Sequence, residues 1–148
     1  MNKRYIAAAL ISGVFLLMKL RNTKPRGIRN NNPLNIRKSG DNWLGAAGDD
    51  GEFVQFSLAS LGIRAAARIL KNYRDKYGLN TVSGIITRWA PPSENDTESY
   101  INSVAKKVHV DVNQVLTEND YPNLIRAMIY HENGQQPYPV DVINDGFN

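Results

Sequence analysis

Four successive stretches from residue 58 onward carry apolar residues at helical spacing, and this pattern constrains the fold more than any other feature of the 148-residue chain. "LASLGIRAAARILKNYRDKYG" puts Leu58, Leu61, Ala65, Ile69 and Tyr73 on one face, with Ser57 placed as N-cap and Gly78 as the stop. "TVSGIITRWAPP" predicts a shorter helix from Thr81, ended by Pro91 and Pro92. "ENDTESYINSVAKKVHV" begins at a cap, Asp96 or Thr97, and lines up Tyr100, Ile101, Val104 and Val108. The last stretch runs from Pro122 to Asn133 and stops at Gly134.

The preceding segment reads differently. "IRNNNPLNIR" is a loop leading into a short strand around Leu34–Ile36. "KSGDNWLGAAGDDGEFVQF" is rich in glycine and aspartate and ends in an alternating segment, Phe53–Phe56, which predicts one small β-hairpin. "DVNQVLTENDYP" is a turn-rich connector, and "QQPYPVDVINDGFN" shows no strong pattern. The expected class is α+β and mostly helical.

The N-terminal segment "YIAAALISGVFLLM", Tyr5 to Met18, is an apolar run between basic flanks. As a helix it covers roughly 21 Å, short of a hydrocarbon core of about 30 Å, a gap that snorkelling by Lys3, Arg4, Lys19 and Arg21 or local thinning of the bilayer can close. A signal peptide shares the charged start and length, but no small-x-small cleavage site follows; a buried core helix is disfavoured because every face is apolar. The expectation is a transmembrane anchor within residues 1–21 (apolar part 5–20), a linker at 22–26 and one domain at 27–148, with the lipid membrane as a partner.

The net charge of +4 suggests nucleic acid until it is located. Residues 1–29 hold seven basic and no acidic residues, leaving 11 basic against 14 acidic residues in the rest, a net of −3. No basic face stands out to track a phosphate backbone, so nucleic acid is not an expected partner. With no cysteine and only His109 and His131, far apart, no metal site or cofactor is expected.

Within "LIRAMIYHENG", Ile125, Met128, Ile129 and Glu132 share the helical three-four spacing, so Glu132 continues the apolar stripe. Partial burial and the negative end of the helix dipole both raise a carboxyl pKa, as a general acid for a glycosidic oxygen requires. The plainer reading is a last-turn carboxylate in solvent.

Three blocks add to this: "RGIRNNNPLNIR" with the following "W.G…FVQF…GIRAAARIL", then "RWAPPSENDTESYINSVA", then "YHENGQQPY". Together they resemble a small phage family labelled virion or structural protein, over roughly Pro25 to Tyr138. The same blocks are similar, more distantly, to pieces of lysozyme-like peptidoglycan-cleaving enzymes. "NNPLNIRKSGDNWLG" resembles the stretch after the catalytic glutamate in bacterial glucosaminidases. "DTESYINSVA" and "LIRAMIYHENGQQP" resemble a tyrosine-bearing helix and the catalytic helix of lytic transglycosylases. Here the glutamate helix comes last, so the resemblance implies a lysozyme-like domain in circularly permuted order.

The resemblance implies a virion-associated, membrane-anchored enzyme that cuts the MurNAc–GlcNAc backbone of peptidoglycan during host entry or lysis. Other virion proteins are further partners. Glu132 is then the general acid, and Tyr100 its hydrogen-bonding partner or that of the leaving oxygen. Asn30, Asn31, Asn32 and Asn35 offer amides to N-acetyl groups, although turn chemistry before Pro33 also accounts for them. Trp43 is a candidate sugar platform and Gln55 a further binding residue, whereas Trp89 reads as core. Glu52 is the chosen second carboxylate, ahead of Asp49, Asp50, Glu94 and Asp96, for a hydrolase that needs one. The competing expectation is a non-catalytic structural virion protein that binds glycan, membrane or capsid partners.

Overall fold

The computed structural model describes residues 24–148. Its elements in order are α1 (Arg26–Arg29), β1 (Ala46–Asp49), β2 (Val54–Phe56), α2 (Ala59–Tyr77), α3 (Val82–Trp89), α4 (Thr97–Val108), a 3-10 turn (Glu118–Asp120), α5 (Tyr121–Asn133) and α6 (Val140–Asp145). The strands β1 and β2 form a two-stranded antiparallel sheet with an irregularity between Ala46 and Gly48. Arg37 and Phe53 extend it by one isolated bridge, but the strand expected at Leu34–Ile36 does not form: Leu34 and Ile36 are buried, and Asn35 between them holds left-handed backbone.

The expected fold class is corrected. Helices make up about half of the described residues, with one small sheet, and no helix among them is long and apolar enough to cross a membrane. The anchor expected at residues 5–20 lies outside the described residues. The helical share is lower because residues 30–57 form turns and the two strands. Asn31 and Asn35 hold left-handed backbone at φ 51°, and Gly45, Gly48 and Gly51 also have positive φ. The fold class is α+β, about half helical with one two-stranded sheet, in place of the expected mostly helical lysozyme-like domain.

The helices pack around α5. Leu124, Ile125, Met128 and Ile129 are fully buried, and α5 meets α4, α1, α6 and α2. Burying such side chains contributes about 1.5–3 kcal/mol each, so α5 is the axis of the core. The other helices add Ile63, Ala66 and Leu70 from α2, Val82, Ile85 and Ile86 from α3, and Tyr100 and Val104 from α4.

Local signals explain most boundaries. Thr81 caps α3 by accepting from the Gly84 N–H, and Asp96 caps α4 through Ser99. The start of α2 differs, because Leu58 rather than Ser57 is its N-cap and makes no side-chain cap bond. Leu58 is 60% exposed, and the buried side chains of α2 are Ile63, Ala65, Ala66 and Leu70, of which only Ala65 belongs to the expected stripe. The face formed by Leu61, Ile69 and Tyr73 is only partly buried. The C-terminal stretch without a pattern contains α6, which seats Ile143 in the core against α2 and α5.

Candidate functional site

The site begins with the loop at residues 30–35. Its backbone is pressed against α2 at Gly62, where an added Cβ would stand 2.1 Å from the Asn31 carbonyl oxygen. Only glycine permits this approach. Asn32 is fully buried: its Nδ2 donates to the carbonyls of Ile36 and Val54 at 2.9 and 2.8 Å, and its Oδ1 accepts from the Ile36 N–H. Asn30 donates to Asp50 and accepts from Gln55, while Asn31 donates to the Phe56 carbonyl. These three asparagines and Gln55 hold loop and sheet together.

Asn35 is placed differently. Its Nδ2 donates to Glu132 Oε2 at 2.9 Å across 97 positions of sequence. Trp89 Nε1 and the Tyr100 hydroxyl both donate to Glu132 Oε1, at 3.1 and 3.0 Å. One carboxylate thus collects donors from the Asn loop, α3 and α4. The last turn of α5 is set by Asn133, whose Nδ2 donates to the Pro33 and Ile129 carbonyls at 2.7 and 2.9 Å. Gly134 then ends the helix at φ 68°, a left-handed cap that bonds back to Tyr130.

Glu132 lies in the wall of an open groove of about 650 Å³, which also takes in Asn35, Trp43, Tyr73, Arg88 and Trp89. Burial raises its carboxyl pKa above the ordinary value, and the hydrogen bonds from Asn35, Trp89 and Tyr100 oppose the rise without cancelling it. Oε1 carries two donors and Oε2 one, so a proton on this carboxyl has more room on Oε2. Tyr100 is 4% exposed, and burial, reinforced by the Glu132 charge, keeps its hydroxyl protonated and donating. Its ring stacks on His131 at 3.8 Å, and burial lowers the His131 pKa.

Glu52 stands apart from this arrangement. Its oxygens accept from Arg26 at 2.8 Å and Arg37 at 2.9 Å, and it does not line the groove. Asp50 accepts from Arg26 Nε and Nη2 and from Asn30, which hold its carboxyl far below the usual range. Arg26, at the edge of the expected linker, is therefore tied into the folded unit. Asp41 and Glu94 are the groove's other carboxylates, both exposed. Among the described residues no group of three His, Asp or Glu side chains is placed to hold a metal ion.

The residues drawn together are Glu132, Tyr100, Asn35 and Trp43, the last as part of the groove wall. Sequence reasoning misses Trp89, assigned to the core, which is half-buried, edge-on to Tyr73 and bonded to Glu132. It also misses Tyr73, Tyr77 and Arg88 on the groove wall; the exposed face of α2 and the polar Arg88 before Trp89 were the available signals.

The chain belongs to a family of phage proteins. Protein P5 of Pseudoalteromonas phage PM2 is 47% identical to it over 148 residues, an alignment covering 97% of this chain and 92% of that protein. No protein-family model matches the sequence.

Proposed function

We propose that this phage protein is virion-associated and cleaves the glycan backbone of peptidoglycan, with Glu132 as general acid and base. The observation that carries the reading is the half-buried Glu132 carboxyl in a groove wall, its pKa raised by burial. A carboxyl that keeps its proton towards neutral pH can protonate the glycosidic oxygen as the C1–O4 bond breaks. The segments around Asn35, Tyr100 and Glu132 that resemble peptidoglycan-cleaving enzymes support the same chemistry.

With Glu52 engaged by two arginines, the groove offers one desolvated carboxylate. The reaction that needs only one is intramolecular. Glu132 gives its proton to the leaving O4; the ionised carboxylate then takes the proton from the sugar's own 6-hydroxyl as that oxygen attacks C1. The product is a 1,6-anhydro end and the catalyst is restored. Tyr100 and Trp89 hold Oε1 while Oε2 exchanges the proton.

Mass spectrometry of purified peptidoglycan digested with the protein tests this. Anhydro-ended muropeptides are the expected products. Reducing ends in their place would replace the intramolecular step with hydrolysis, and intact glycan would remove the enzymatic reading.

A second reading, a non-catalytic virion protein that binds glycan or another virion component, draws on one observation. Three donors on Glu132 also make a satisfied structural network. It predicts binding without any new glycan ends.

A further inference from the structure

The groove that passes Glu132 carries a cationic wall that the cleavage chemistry leaves unused. Lys76 and Tyr77 come from the last turns of α2, and Arg88 from the last turn of α3. The Arg88 guanidinium lies 3.8 Å from the Tyr77 ring centroid and 5.2 Å from that of Tyr73. Stacking on aromatic faces fixes the plane of a guanidinium, and the Arg88 N–H groups not turned to the Tyr73 hydroxyl remain for an acceptor in the groove. Among the described residues neither Arg88 nor Lys76 has a carboxylate within ion-pair distance. The groove's other cation, Arg37, is bound to Glu52 and reaches Glu94 at 3.9 Å. Basic residues at helix C-termini are common for dipole reasons alone. Here, however, two of them from different helices share one groove, one seated on two tyrosines.

Resting on the reading of this groove as a peptidoglycan site, we propose that Lys76 and Arg88 form a subsite for a carboxylate carried by the glycan. An N-acetylhexosamine backbone is neutral. The anions of peptidoglycan are on its substituents, in the stem peptides or, where these are removed, on the lactyl group itself. Tyr73 and Tyr77 supply an apolar floor beside the two cations, suited to a chain that presents carboxylates on an aliphatic body. The subsite therefore makes the protein selective for substituted glycan over a bare polymer of the same sugars.

The test uses the full-length chain and three sedimentable polymers: intact sacculi, glycan strands stripped of stem peptides by an amidase and coupled through their reducing ends to beads, and chitin. Binding is measured by co-sedimentation at low, fixed ionic strength. The protein should bind sacculi more tightly than chitin. The double variant Lys76→Gln, Arg88→Gln should lose about tenfold on sacculi, the size of a charge-assisted contact, and nothing on chitin. A loss that persists on stripped strands assigns the lactyl carboxylate; one confined to sacculi assigns the stem peptide. The single variant Lys76→Gln at an exposed position should show a smaller loss of the same selectivity, which separates recognition from damage to the Arg88 stack.

Unchanged binding of both variants to sacculi, equal loss on all three polymers, or equal binding of the unaltered protein to all three would overturn the subsite. Selective binding without cleavage would keep the subsite and remove the enzyme; cleavage with unchanged variant affinities would do the reverse.

Discussion

Asn35 Nδ2 donates to Glu132 Oε2 at 2.9 Å, joining a loop near the start of the described chain to the last turn of its central helix. The bond depends on Asn35 holding φ 51° and on Asn133 pinning the same loop through the Pro33 carbonyl. The loop conformation and the helix end thus fix the carboxylate jointly.

Tyr100→Phe keeps the ring on His131 and removes one donor from Oε1. A carboxylate with fewer donors is harder to ionise, so the Glu132 pKa should rise further. Carbon-detected NMR titration of the Glu132 side chain should show the upward shift, with a stability loss of about 1 kcal/mol in urea unfolding. A downward shift would contradict the assigned role of the hydroxyl.

Gly62→Ala should cost about 2–3 kcal/mol, because its Cβ meets backbone, the Asn31 carbonyl oxygen at 2.1 Å, rather than a side chain that can turn away. Urea unfolding measures the loss. Tryptophan fluorescence should also change, since displacement of the Asn loop disturbs the groove that Trp43 and Trp89 line. A change within error would mean that the loop does not rest on α2.

Stability should depend on pH through Glu132. Its folded pKa is raised above 4.5, so it favours the fold fully below the unfolded value and loses that contribution as pH rises through the folded one. Glu132→Gln has no such loss. Gln can be accommodated, because the buried Asn35 Oδ1 lacks a partner among the described residues and can turn to accept from the new amide. The melting temperature of the variant relative to the parent should therefore increase between pH 4 and pH 8. A relative decrease would show that the three hydrogen bonds outweigh burial.

The four longer helices, α2 to α5, were legible in the sequence because their apolar spacing and caps are local, as Thr81, Asp96 and Gly134 show, whereas the short α1 and α6 were not. The face of α2 was not. Leu58, Leu61, Ala65, Ile69 and Tyr73 share a helical stripe, but only Ala65 of them is buried; Ile69 and Tyr73 line the groove, and Ile63, Ala66 and Leu70 turn inward. The position of Glu132 on the buried side of α5 followed from spacing, and the Tyr100 bond matches a pairing the enzyme resemblance implied. Trp89 was lost because an indole before two prolines packs equally well as core, and only the fold directs its N–H. The asparagine run divided according to its turn geometry: Asn32 is consumed by the loop, while Asn35 reaches the carboxylate.

Glu132→Gln assayed on purified sacculi tests the central proposal most directly, since the substitution removes the acidic proton while nearly keeping the side chain's shape. Release of soluble muropeptides by the unaltered protein, at least about a hundredfold lower in the folded variant, is the expected result. Equal release by both proteins would show that Glu132 is not the catalytic acid.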